Sequence, residues 1–288
     1  MKHVPPKGCA FPVNVLSVIF LALPIAMAVA PWGGELAAQS LNFAGGSSDE
    51  PIEIFADDGI EWQQDNLILL ARGNARAVRG SVKVHADELR AYYRELQEGG
   101  TDIWRLDAKG NVRITSPGET VYGDFGIYDI DNAILVVKGK KVRFATDNDQ
   151  ITADEQLEYW ERKKMAVARG NASAVRGDKR LRADVLVAYF RRGRDGKTAV
   201  YKVEAFGNVR IVTKMDDVRS NKGIYNVESG IATLTGSVTM LRGSSRLTGC
   251  SAEVNLNTGI SKLFSCGPSD SGGKRVQGVI KSRNLNKK

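Results

Sequence analysis

The chain has 288 residues, 42% of them hydrophobic and 26% charged, with 30 glycines, 8 prolines and a formal net charge of +8. That apolar fraction supports a real core and argues against a disordered polyelectrolyte, and plentiful glycine with scarce proline suits bent strands. Two histidines and three cysteines leave little material for imidazole-based catalysis or a metal cluster.

Residues 1–38 read as a targeting segment. Lys2 and Lys7 give a positive start, residues 13–30 are almost wholly apolar, and Ala26 and Ala28 form an A-x-A type cleavage site, with Ala37-Ala38 as a weaker one. The alternative is an uncleaved membrane anchor, because 18 residues is near the lower limit for crossing a bilayer. Cys9 precedes the apolar run and so is not placed as the acylated cysteine of a lipoprotein. Both alternatives imply export. Without residues 1–38 the chain keeps 39 basic and 32 acidic residues, spread along the expected strands. This mild excess reads as the solvated face of a sheet and not as a nucleic-acid surface.

Residues 39–50 form a polar Gly/Ser leader expected to be flexible, and the body begins at Pro51. Period-two alternation marks half-buried strands, as in Ile52 and Ile54 around Glu53, Val82 and Val84 around Lys83, and Tyr128 and Ile130 around Asp129. Turn signals fall at Asp65-Asn66, Asp131-Asn132, Ser229-Gly230 and Asn257-Thr258-Gly259. No long amphipathic helix is evident after residue 40, so the body is expected to be all-β.

The alternating segments are copies of one another. ARGNARAVRG at 71–80 returns as ARGNASAVRG at 168–177, and GNVRI at 110–114 returns at 207–211, both displaced by 97 residues. Fifteen of the 25 positions from 71 to 95 match those from 168 to 192, with no gap needed in the register. Within this period glycines recur at 73, 110, 139, 170, 207, 236 and 267, which suggests seven bent units of about 30 residues. A fixed internal period means one stacked body in which no unit buries its apolar face alone. The expected layout is repeat 1 over about 51–147, repeat 2 over about 148–244, a partial repeat over 245–267 and a disordered basic tail over 268–288.

Cys250 and Cys266 lie symmetrically about residue 258, so a simple hairpin centred there would set them face to face. In an exported protein that favours a structural disulfide over two small buried thiols. A catalytic reading finds little support. His85 is replaced by Arg182 in the second copy, so the repeat does not require its imidazole. Asp57, Asp154, Asp87 and Asp184 recur at bends, where an aspartate usually bonds its own local backbone. The expectation is a non-enzyme without cofactor or metal.

With the repeat laid out, the text resembles the LptA/OstA family of periplasmic bridge proteins of lipopolysaccharide export. The resemblance rests on PIEIFADDGIEW at 51–62 with LLARGNARAV at 69–78, on SVKVHADELRAYY at 81–93, and on GIYDIDNAILVVKG at 126–139. It implies an elongated open β-jellyroll of stacked bent strands, with an apolar groove for the acyl chains of lipid A. By the same resemblance Ile52, Ile54, Tyr128 and Ile130 line that groove, and the internal period adds Tyr225 and Val227. The implied function is a periplasmic carrier that binds lipopolysaccharide and passes it from inner to outer membrane. The implied partners are LptC-like and LptD-like proteins, joined by strand addition at edges near 51–56 and 247–266, with end-to-end self-association also open. Two other readings stand beside it: an inner-membrane-anchored LptC-like partner, if residues 13–30 stay attached, and a β-solenoid scaffold or adhesin with a filled interior. A nucleic-acid partner is not expected, for want of an aromatic-basic cluster.

Overall fold

The computed structural model describes residues 51–97, 99–193, 198–266 and 275–280. The expected targeting segment and flexible leader, residues 1–50, lie outside the described residues. Every regular element among those described is a β-strand. In chain order these are β1 (Glu53–Phe55), β2 (Gly59–Gln63), β3 (Ile68–Arg79), β4 (Val82–Glu95), β5 (Thr101–Ser116), β6 (Glu119–Asp129), β7 (Ile134–Lys138), β8 (Val142–Thr146) and β9 (Asp149–Ala153). There follow β10 (Gln156–Trp160), β11 (Met165–Arg176), β12 (Lys179–Arg192), β13 (Thr198–Val212), β14 (Asp216–Asn226), β15 (Ile231–Arg242), β16 (Ser245–Asn255), β17 (Ser261–Phe264) and β18 (Gln277–Val279).

All pairings are antiparallel, and the 18 strands make one continuous meander. Four pairs of short strands are halves of single bent ones: β1 and β2 both pair with β3, β7 and β8 with β6, β9 and β10 with β11, and β17 and β18 with β16. The body is therefore a stack of fourteen bent strands. At the usual ~4.8 Å between strands the stack runs roughly 60 Å. One period of 97 residues equals six of these strands, since β3 repeats as β11 and β4 as β12.

Four of the bends share one chemistry. Gly73-Asn74, Gly110-Asn111, Gly170-Asn171 and Gly207-Asn208 all have positive φ, which glycine and asparagine tolerate best. The ladder register shifts at each of these points, for example between Arg72 and Ala75 on β3. A two-residue step of this kind is a β-bulge, and it turns the strand sharply. The neighbouring strand supplies an aspartate that closes the corner: the Asn111 side chain donates to Asp87 at 3.0 and 3.1 Å, and Asn208 donates to Asp184 at the same distances. Asn74 and Asn171 donate to Asp57 and Asp154, each at 3.2 Å. These carboxylates thus bond across to the adjacent strand, where a local backbone bond was expected. A bulge leaves the side chain of the next strand nearer than its own turn.

Each strand's two halves lie in two walls that meet at the corner and face each other. The apolar positions of both walls meet in between, in three successive clusters along the stack: one around Ala71, Val112, Ile114 and Val137, one around Ala153, Ala172, Ala183 and Val209, and one around Val218, Leu234, Met240 and Ala252. Hairpin turns close the free ends of both walls and so form the mouth of the V.

Two details depart from the sequence expectation. The repeat is not gapless: at Gly139-Lys140-Lys141 the first copy carries one residue more, and the strand breaks into β7 and β8, whereas β15 runs unbroken through Gly236 at φ 80°. Gly139 itself is not in the left-handed region, because the extra residue absorbs the bend. The basic tail is not wholly outside the fold either. Gln277–Val279 pair with Thr248, Leu247 and Arg246 of β16 as β18. The short VQGVI alternation there can satisfy the exposed ladder of β16, which the surrounding lysines and arginines obscured in the sequence.

Candidate functional site

The repeat builds a space between the two walls. In the first copy its lining comes from both walls: Ile54, Ala77, Val84 and Ile114 from one, and Leu89, Leu106, Tyr128 and Leu135 from the other. The cavity left there is small, about 30 Å³. Ligand pockets are typically ~300–1,000 Å³, far larger than this cavity.

Five of the six residues read from the sequence as groove-lining pack with the interior clusters. Tyr128 is 5% exposed within the first cluster, and Ile52, Ile54 and Ile130 pack against that cluster. Tyr225 packs against the third cluster, and Val227 is half-buried in the turn after β14. The two tyrosines share one charged neighbour between the copies, an arginine. Burial pushes the Tyr128 hydroxyl above the ordinary phenol range, the carboxylate of Glu161 adds to this, and Arg79 acts against it. Burial likewise raises Tyr225, with Arg176, the counterpart of Arg79, acting against it.

The same residues are not equally covered in the two copies. Positions beside the corner are buried in both, as in Ala75 and Ala172, Ala86 and Ala183, Leu89 and Leu186, and Val112 and Val209. Toward the mouth the copies diverge. Ala77, Val84, Ala91, Ile114 and Tyr128 are buried, while Ala174, Leu181, Ala188, Ile211 and Tyr225 are only half-buried. At the mouth itself Ile52 of the first copy is replaced by Asp149, which accepts from the Arg176 guanidinium at 2.6 Å.

The outer face carries charge and aromatic groups. His85 sits across from Arg76 on one side and Arg113 on the other. Burial and these cations, with Lys83, lower its pKa. No group of three or more His, Cys, Asp or Glu residues suited to a metal ion occurs among the described residues. A repeated aromatic pair, which the sequence reading had not singled out, joins Tyr92 to Trp104 at 5.7 Å and Tyr189 to Tyr201 at 6.5 Å. A cation covers one ring of each, Arg105 over Tyr92 and Lys202 over Tyr189. The spacing of 97 residues between them was the available signal.

Both ends of the stack are open ladders. Among the described residues β1 and β2 pair only with β3, and β17 and β18 only with β16. Exposed apolar side chains gather at these edges: Phe55, Ile60 and Trp62 at the first, and Ile260, Phe264, Val279 and Ile280 at the last, with Trp62 at 61% and Ile280 at 79%. The last edge also carries Cys250 and Cys266, joined as a disulfide with Cα atoms 5.2 Å apart. The hairpin is one step out of the expected phase, since β16 and β17 pair Ser251 with Phe264. The cysteines therefore meet diagonally, just where β17 leaves the sheet.

Comparison with known proteins gives this architecture a family. The model of the family described as LptA/(LptD N-terminal domain) LPS transport protein matches the chain twice, over residues 53–159 and 150–260. The two matches fall on the two copies of the repeat. An uncharacterized protein of Rhizobium meliloti (strain 1021) is 29% identical over 100 residues, which cover 33% of this chain and 53% of that protein. The chain thus spans about half the length of the curated relative it matches. Among solved structures, LptH of Pseudomonas aeruginosa, an LptA homologue described as a periplasmic component of the lipopolysaccharide transport device, is 10% identical. That alignment covers 82% of this chain and 99% of LptH, with a TM-score of 0.22.

Proposed function

Because the chain belongs to the family of LptA and LptD N-terminal domain proteins of LPS transport, we propose that it is a periplasmic carrier holding the acyl chains of lipopolysaccharide between its two walls. The observation that carries this reading is the continuous apolar lining shared by both walls, repeated along a stack whose ends are open. Acyl chains are apolar along their whole length, and a cleft lined by Ala, Val, Ile and Leu with little polar surface suits them. The saccharide and its phosphates would stay at the mouth, in water. Passage along the stack needs no chemistry, so the carrier works without a catalytic residue or a cofactor.

The open ladders at β1–β2 and at β17–β18 are the surfaces proposed to join the chain to LptC-like and LptD-like partners, since an unpaired edge accepts a further antiparallel strand. Exposed Trp62 at one end and Ile280 at the other would be covered in such a joint.

A second reading has one observation in its favour. The first-copy interior is closed down to about 30 Å³, as a filled β-scaffold would be. Photocrosslinking separates the two. A photoreactive residue at position 128 in the exported protein should capture lipopolysaccharide, whereas the same residue at position 129, on the outer face, should not. Absence of capture from positions 128 and 225 in a folded protein leaves the scaffold reading.

A further inference from the structure

The two copies of the repeat give an internal comparison that a single-copy protein lacks: the same strands, with several residues just inside the mouth buried in the first copy and half-buried in the second. The half-buried set Ala174, Leu181, Ile211 and Tyr225 lies in β11 to β14, in the middle of the stack. The cause is legible in the hairpin turns that end the walls. Arg162, Lys163 and Lys164 stand where the first copy has Asp65, Asn66 and Leu67. Lys179 stands in place of Val82, Arg192 in place of Glu95 and Lys214 in place of Pro117. All six of these basic residues are exposed. Three positions change the other way, to Asp149, Glu161 and Asp178. Asp149 is engaged by Arg176, and Asp178 lies 3.8 Å from Lys214.

A lysine at 179 cannot be buried as Val82 is, at 6% exposure, without a large desolvation cost. An aspartate at 149 cannot close the mouth as Ile52 does, for the same reason. The apolar positions just inside, Leu181 and Ile211, therefore stay partly wet. A half-open apolar cleft with a cationic rim is complementary to a molecule with apolar chains and an anionic head. The first copy has Asp65 and Glu95 at the corresponding turns, so its rim is less suited to an anionic head.

We propose that the resting site for the lipid is the middle section of the groove, over β11 to β14. Its acyl chains enter between Leu181 and Tyr225, and its phosphates lie against the rim formed by Arg162, Lys163, Lys179 and Lys214. The proposal rests on the carrier reading above and adds to it a position and a headgroup chemistry. The first-copy groove then opens only as cargo moves along it.

The test places a photoreactive residue at Leu181 and, separately, at Val84, its counterpart, in the full exported chain. The probes are an acylated glucosamine disaccharide bearing two phosphates and the same lipid without them. Capture of the phosphorylated lipid at 181 should exceed that at 84 by about tenfold, corresponding to ~1.4 kcal/mol. The variant R162D/K163N/K179Q removes the positive charge at three exposed rim positions and keeps a polar residue at 179, so that the mouth is not closed. It should lower capture of the phosphorylated lipid at 181 by about tenfold, since it removes basic residues that attract the anionic headgroup, an attraction that salt partly screens. Capture of the phosphate-free lipid should change by less than about twofold, because that lipid has no charge for the rim to attract. An unchanged thermal midpoint would show that the variant is folded.

Equal capture at both positions, or more at 84, overturns the assigned position while leaving the carrier reading standing. Capture at 181 that ignores both the phosphates and the variant overturns the rim. Failure of capture at 84, 128 and 181 alike removes the carrier reading itself.

Discussion

At Gly110 a single hydrogen decides whether a strand can bend. Its φ is +77°, and a Cβ built there would lie 2.1 Å from the Asp87 carboxylate that Asn111 holds in place. Gly110→Ala should therefore lose about 2–4 kcal/mol, from left-handed backbone strain plus the clash, as read by denaturant unfolding. Combining it with Asp87→Ala should cost less than the two single changes added together, because the clash is gone. A second residue-scale effect concerns Glu119, which is 5% exposed and whose pKa is raised by burial to about 7, with the neighbouring Ser116 hydroxyl acting against the shift. In the unfolded chain this acid ionises near 4.5, whereas the folded chain keeps it protonated until about 7. The folded-state pKa lies above the unfolded one for an acid, so stability is greatest below 4.5 and falls as pH rises toward 7. The loss should be about 1–3 kcal/mol after allowing for partial solvation. Glu119→Gln should flatten that slope and raise stability at neutral pH. A slope unchanged in the variant would show that Glu119 is not its source.

At the level of the element, the last bent strand is held by short ladders. β17 has four residues and β18 three, while β3 and β4 have 12 and 14. β17 is followed by Cys266, whose disulfide to Cys250 of β16 spans 16 residues. Closing a loop of that length is worth ~3 kcal/mol in the chain-entropy view. Cys250→Ser with Cys266→Ser should thus lower the unfolding midpoint and speed hydrogen exchange in residues 245–264, leaving β3 to β6 protected. If exchange quickens uniformly along the stack, the clamp is not local. The oxidised chain should also weigh two hydrogens less than the reduced one by intact mass.

On the scale of the whole stack, antiparallel meandering keeps the alternation of strand direction intact at both ends, so each end presents a ladder that another antiparallel strand can join. Ile60 and Trp62 sit on the first of these edges, exposed. Replacing both with lysine should abolish any concentration-dependent association seen by sedimentation, since charge on an edge strand opposes pairing. Persistence of the same association would place the contact elsewhere. A stack of fourteen bent strands in one chain also gives a groove of roughly 60 Å without a second copy.

Much of this was legible in the sequence alone. The 97-residue period, the alternation of apolar and polar positions and the Gly-Asn steps together required bent antiparallel strands stacked in one body, because those signals are local and period-two burial follows from strand geometry itself. The inward set, Ile52, Ile54, Tyr128, Ile130 and Tyr225, was readable for the same reason. The tertiary structure alone decided how far apart the two walls stand. Whether Val84 is buried and Leu181 only half-buried depends on residues far away in sequence that meet across the mouth, and on the cost of burying a lysine or an aspartate there. It also decided that Asp87 closes a neighbour's corner, that Glu119 loses its water, and that the cysteines meet diagonally. These are contacts between strands, and no periodicity along one strand encodes them.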